Sequence, residues 1–308
     1  MSPTLRGIVL MTAAMAAFAV EDALIKLASA TLPPGQILLL LGLFGAPVFA
    51  GFARAAGHRV LTRAALTPAL LARNGAEMVG TMGFVTALAL IPLSTASAIL
   101  QAAPLLVTAG AAVFLGEAVG WRRWGAVLVG FAGVVLILRP GTQGFDGNAL
   151  WAVLGVTGLA ARDLFTRRMP PGLPTHVVAA WAFMAVGLVG ALMLVVSGGA
   201  RMPPAGAWAL LAAALAIGIV AYWAIVEATR WGDTSAIAPF RYTRLIFATF
   251  IAWAVFAEIP DAPTLTGAAL IILSGLYTLY RERLRRLDSR ATGAARTTTL
   301  GTAPEARP

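Results

Sequence analysis

Long apolar runs, punctuated by Gly, Pro and Arg, recur along nearly the whole chain. Ten of them approach the roughly 20 residues that a helix needs to cross about 30 Å of hydrocarbon. They cover 6–28, 35–55, 66–90, 93–115, 124–139, 148–167, 175–196, 207–230, 234–256 and 264–281. The pattern predicts an all-α polytopic membrane protein. Against that background the stretch "AFAVEDALIKL" (17–27) stands out, because Glu21, Asp22 and Lys26 interrupt an otherwise apolar first span. "ASA" at 28–30 resembles a signal-peptidase site, but three charges precede it and nine more spans follow, so no cleavage is expected.

The loops orient the bundle, since cytoplasmic loops are enriched in Lys and Arg. With the N-terminus inside, inner segments hold Arg6, Arg54, Arg59, Arg63, Arg122, Arg123, Arg162, Arg167, Arg168, Arg230 and seven tail arginines. Outer loops hold only Arg139 and Arg201. Seventeen against two predicts both termini in the cytoplasm. Residues 282–308 lack hydrophobic periodicity and read as a basic, disordered cytoplasmic tail.

Composition agrees and narrows the chemistry. The chain is 59% hydrophobic and 12% charged over 308 residues, whereas soluble domains are about 25% charged. Its net charge of +10 sits in loops and tail, which argues against nucleic acid as a partner. There is no cysteine, and His58 and His176 lie far apart, so neither a thiolate nor a histidine metal site is predicted. Lys26 is the only lysine, which excludes a Walker A phosphate loop and a Ser-x-x-Lys hydrolase. No cofactor is called for.

The chain also repeats. "AFAVEDALIKL" aligns with "GLAARDLFTRR" at 158–168, which sets Asp22 on Asp163 and Lys26 on Arg167. The same offset sets Ser94 on Ser235, Gln101 on Tyr242 and Glu117 on Glu258. After a one-residue insertion, "WGAVLVGFAGVVL" (124–136) matches "TGAALIILSGLYT" (266–278). The predicted organisation is a first five-helix repeat over 1–140, a second over 141–281, and the tail. Five spans is an odd number, so the second repeat enters the membrane inverted, as in carriers that work by alternating access.

Here "ALALIPLSTASAILQAAPLLV", "FLGEAVGWRRWGAVLVGFAGVVLILRPG" and "PDAPTLTGAALIILSGLYTLYRER" resemble the EamA branch of the drug/metabolite transporter superfamily. The likeness runs from about residue 6 to 283. Within that branch, the Asp-Ala-x-x-Lys of the first span is similar to the S-adenosylmethionine and riboflavin uptake carriers. Those carriers commonly have an arginine in the second helix, where "QILLLLGLFGAP" has none. The resemblance implies bent fourth and ninth helices lining a central cavity with the third and eighth.

Charges inside a span are costly, by ~2.5–3.5 kcal/mol on insertion scales, and face a cavity or a partner. Asp22 and Lys26, four apart with the acid first, are suited to pair along the helix. With Glu21, Arg162 and Asp163 they are the candidate gating or coupling residues, as repeat-related latches at opposite ends of the cavity. Arg73 and Glu77 share a face of span three, and Arg241 and Arg244 a face of span nine. The two latter arginines need an acid, and Arg offers a planar fork for a carboxylate or phosphate. Arg73, Glu77, Gln101, Arg241, Tyr242 and Arg244 are therefore the candidate substrate-binding residues, with Glu77 the resting partner of the arginine pair. Tyr222 and Trp223 are further candidates for the cavity wall. Pro104 and Pro239 break spans four and nine. Glu117 and Glu258 read as helix-end braces, and Gly125, Gly130, Gly133, Gly267 and Gly275 as close-packing scaffold.

Four acids (Glu21, Asp22, Glu77 and Asp163) against five bases (Lys26, Arg73, Arg162, Arg241 and Arg244) leave one positive charge, which predicts a zwitterionic or anionic, partly apolar solute such as an amino acid, flavin or nucleoside. The expected protein is a non-enzymatic secondary carrier of the inner membrane, its partners a small molecule and the bilayer. A broad-specificity efflux carrier, and further off a channel or scaffold, are the alternatives; pairing of two copies stays open. An intramembrane enzyme would need a nucleophile and base that the sequence does not supply.

Overall fold

The computed structural model describes residues 2–62, 66–169, 172–231 and 234–300, and these are helical with no strand among them. Arg63 and residues 301–308 of the tail lie outside the described residues. The helices are α1 (Pro3–Ser29), α2 (Pro34–Ala55), α3 (Pro68–Leu90), α4 (Leu93–Leu100), α5 (Ala103–Phe114), α6 (Trp121–Leu138), α7 (Ala149–Arg167), α8 (Thr175–Ser197), α9 (Ala205–Trp231), α10 (Thr234–Ile237), α11 (Thr243–Phe256) and α12 (Ala262–Leu300). Local sequence starts them. Ser2 and Thr67 accept the Leu5 and Leu70 N–H groups, and Pro3 and Pro68 follow at the first helical positions.

Eight helical segments are long and apolar enough to cross a membrane. The two expected spans outside that set are α3 and α10–α11. The reasons are physical. Helix α3 carries Arg73, Asn74 and Glu77, and the other is split by a 3-10 turn at Ala238–Tyr242 around Pro239. The fourth span divides likewise, between Leu100 and Ala103 ahead of Pro104. The tail departs from expectation in one respect: α12 continues as helix to Leu300 instead of ending near 281. Its Leu, Arg and Ala residues are good helix formers.

The most extensive contacts join α2 to α8, α3 to α7, α1 to α9 and α6 to α12. Exchanging the first six helices for the last six turns α1–α9 into α7–α3 and maps the other two pairs onto themselves. The smaller α1–α11 and α5–α7 contacts exchange as well. A pseudo-two-fold relation therefore governs the packing. Small residues permit it: a Cβ added to Gly42 would lie 2.3 Å from the Gly187 backbone, and one on Gly83 2.5 Å from Gly155. Gly35 meets Gly190 while Gly45 meets Phe183, so equivalent helices α2 and α8 run antiparallel.

The two ends of the bundle differ. Where α1 finishes, one continuous core takes in residues such as Ile25, Leu38, Leu88, Leu93, Ile99, Val189 and Leu211. At the N-terminal end the core splits. Met11, Met15, Ala228 and Ile237 form one cluster on α1, α9 and α10. Ala53, Leu70 and Val177 form another on α2, α3 and α8, beside Phe49 and Ala180. The core is thus continuous at one end, the closed end, and divided at the other, the open end.

Candidate functional site

The first-span charges reach partners other than those their spacing predicts. Asp22, buried, takes a bidentate pair from Arg244, with contacts of 2.7, 2.8 and 3.1 Å. The Arg244 guanidinium also lies 5.2 Å from the Phe18 ring and 5.7 Å from Phe84. Asp22 therefore does not bond Lys26, and Arg244 does not rest on Glu77. A planar fork on α11 matches a carboxylate on α1 better than a flexible ammonium one turn away.

Lys26 instead closes the packed end. Its Nζ donates to the Leu88 and Ile91 carbonyls at 3.1 and 2.6 Å and pairs with Glu258 at 3.3 Å. Glu258 accepts the Leu93 N–H at 2.7 Å, so it does brace the start of α4. One ammonium thus satisfies the carbonyl end of α3 and the acid after α11 together.

In the middle, Glu77 is buried and shared. Arg73 reaches it at 2.9 Å along α3, and Arg162 of α7 reaches it at 3.4 Å. Arg162 also holds Asp163 at 2.8 Å. Tyr222 neighbours this network electrostatically and donates to the Thr175 carbonyl at 3.4 Å, whereas Trp223 is 58% exposed. Glu21 lies over α9, its carboxylate 2.5 Å from where a Gly218 Cβ would sit. Gln101 and Tyr242 meet directly: the Gln101 amide donates to the Tyr242 carbonyl at 3.1 Å, across 141 residues of sequence. Repeat equivalents that touch each other lie on the pseudo-two-fold axis.

Arg241 is the exception. It stands on the 3-10 turn, is exposed, and forms no ion pair with a described residue. Its electrostatic neighbours are Asp163, Arg162, Tyr242 and Arg244. Among the described residues its guanidinium has no carboxylate within ion-pair distance, although Asp163 is the nearest acid acting on it.

At the open end, Arg167 pairs with Glu117 at 3.1 Å. These two residues are the repeat equivalents of Lys26 and Glu258. Sequence reading placed each on its counterpart but did not connect the acids to the bases; the shared offset was the available signal.

Comparison with known proteins adds identity. The model of the EamA-like transporter family matches twice, over residues 5–139 and 148–280. A pseudopaline exporter from Pseudomonas aeruginosa is 30% identical, with 87% of this chain and 94% of that protein covered. An S-adenosylmethionine uptake transporter from Rickettsia felis is 29% identical over 66% of this chain and 69% of its own. A riboflavin transporter from Vibrio cholerae is 27% identical over 90% and 94%. One crystal structure aligns with a TM-score of 0.59 at 22% identity, covering 90% of this chain and 98% of that one, which is a likeness of fold.

Proposed function

This chain belongs to the EamA-like transporter family as a multi-pass metabolite transporter of the inner membrane, and from that premise we propose that it is a secondary carrier of a zwitterionic or anionic, partly apolar metabolite, working by alternating access. Ten spans form two inverted five-helix repeats with both termini in the cytoplasm. The N-terminal end, where the core divides, is then the inner one.

One observation carries the substrate class. Arg241 is an exposed guanidinium beside central arginines that already have acids: Arg73 and Arg162 share Glu77, and Arg244 holds Asp22. It is the group left to take a substrate carboxylate or phosphate. Asp163, 35% exposed, lies among its neighbours and suits an ammonium on the same solute. The names of the relatives support a small organic metabolite, since they are given as transporters of S-adenosylmethionine and riboflavin and an exporter of pseudopaline. In this reading the shielded Lys26–Glu258 pair marks the outer end as the firmly held one, and the exposed Arg167–Glu117 pair marks the inner end as the one poised to open.

Purified protein in proteoliposomes tests the reading with a panel of amino acids, flavins, nucleosides and sulfonium metabolites. We expect saturable uptake of at least one. Arg241→Gln should raise the half-saturation concentration by about tenfold or more, the loss of one charge-assisted contact, with membrane insertion unchanged. Flux that never saturates would mark a channel, and unchanged affinity in the variant would remove Arg241 from the site. The absence of native cysteine makes orientation testable too. Single cysteines at Gly147 and Gly199 should label from outside, and one at His58 should not.

A further inference from the structure

Helices α6 and α12 are repeat equivalents that pack antiparallel, yet their starts are built differently. At the closed end, α12 begins with Asp261, which accepts the Thr264 N–H at 3.1 Å and pairs with Arg139 from the end of α6. At the open end, α6 begins with Gly120, which offers no side-chain cap. Arg281 of α12 stands where Arg139 stands at the other end, in the register that aligns 124–136 with 266–278. So the basic half of the arrangement is repeated and the acidic half is not.

The result is a small cavity of about 210 Å³ lined by Gly120, Trp121, Arg122, Arg123 and Arg281. Arg123 is only 9% exposed, and its buried Nε has no hydrogen-bond partner among the described residues. Its nearest carboxylate, Glu282, is 4.0 Å away, at the outer limit of an ion pair. Arg122 leans over the Trp121 ring at 5.3 Å, and that ring is 78% exposed. Three guanidinium groups thus converge on the uncapped start of an 18-residue helix, whose free N–H groups and positive dipole end favour an anion.

The surroundings name the source of that anion. An exposed Trp beside arginines at a span boundary is the signature of the headgroup region. We propose that Arg122, Arg123, Arg281 and the first turn of α6 bind the phosphate of an anionic lipid headgroup, in the role that Asp261 fills at the opposite end. The leaflet, the inner one, rests on the orientation proposed above; the site itself does not. Bound there, the lipid ties α6 to α12 at the end where the bundle is split.

Native mass spectrometry of the full-length protein with phosphatidylglycerol or phosphatidylcholine of matched chains tests this. Phosphatidylglycerol should be retained preferentially. Arg281→Gln should lower its retention about fivefold, the effect of one basic residue beside an anionic lipid. Gly120→Asp is the sharper variant: Gly120 has φ −67 and open space for a side chain, so the new carboxylate should cap α6, meet the arginines and displace the lipid without lowering the melting temperature. Equal retention of the two lipids, or unchanged retention in both variants, would overturn the proposal. So would stabilisation by inorganic phosphate alone that matches the lipid's, since the anion would then be a free one.

Discussion

The two ends of the bundle use the same ion pair in different surroundings. Lys26 and Glu258 at the closed end have side chains 14% and 20% exposed; Arg167 and Glu117, their repeat equivalents, are 50% and 46% exposed. The closed-end base also satisfies two carbonyls, whereas Arg167 makes the one contact. Exposed pairs contribute about 0–1 kcal/mol, while a shielded base with three acceptors contributes more. The two repeats carry both pairs, and packing decides how far each is shielded from solvent.

The largest test compares the acids behind these pairs. Asp22→Asn leaves the largely shielded Arg244, its side chain 18% exposed, without its carboxylate, which should cost about 3 kcal/mol. Asp163→Asn should cost far less, because Asp163 is 35% exposed and Arg162 keeps Glu77. Melting temperatures in detergent measure both. Equal losses would mean that burial at the closed end does not set the balance.

A smaller effect is expected from the pairs themselves. Lys26→Met leaves Glu258 and two carbonyls short of a partner, at about 1–3 kcal/mol, and should loosen the closed end. Ser97, buried one turn along α4 from the Leu93 that Glu258 braces, is the reporter: as a cysteine it should become accessible to an impermeant maleimide from outside in Lys26→Met. Arg167→Met should leave its labelling near the wild-type rate. If both variants label alike, the ends are not distinct and the reading of a firmly held outer end fails.

The fold was largely legible because its signals are one-dimensional. Apart from the far end of α12, apolar runs located the helices to within a few residues, and Pro104 and Pro239 located the breaks in the fourth and ninth spans. The alignment of 17–27 on 158–168 foreshadowed the pseudo-two-fold packing and the Gln101–Tyr242 contact. Partner choice was not legible. Asp22 and Lys26 sit four apart, and intrahelical spacing favours their pairing, but Arg244 arrives from 222 residues away with better geometry. Similarly, Glu77 lies near α7 and not α11 because α3 packs on α7, a fact about helix neighbours that no local pattern encodes. What could have been read is the pairing of Lys26 with Glu258, since each has its own repeat mate at the same offset.

The smallest expected effect is a pH dependence confined to the capped start of α12. Hydrogen bonds from Thr264 first, and from the Arg139 guanidinium, hold the Asp261 carboxyl below its ordinary value of 3.8. A carboxyl lowered in the folded state adds stability that is present above its unfolded value and is lost as pH falls through the folded one. Asp261→Asn keeps a capping oxygen, because Asn caps about as well as Asp, and removes only the charge. The variant should therefore melt slightly below wild type at neutral pH and converge with it under acid, below both values. Asp261 is 49% exposed, so the gap should be small and shrink further in salt. At the other end the comparison inverts. Gly120 has no group to titrate, and Gly120→Asp should acquire the acid-sensitive step that wild type lacks there. A gap between Asp261→Asn and wild type that persists at low pH would mean the residue acts through its shape and not its charge.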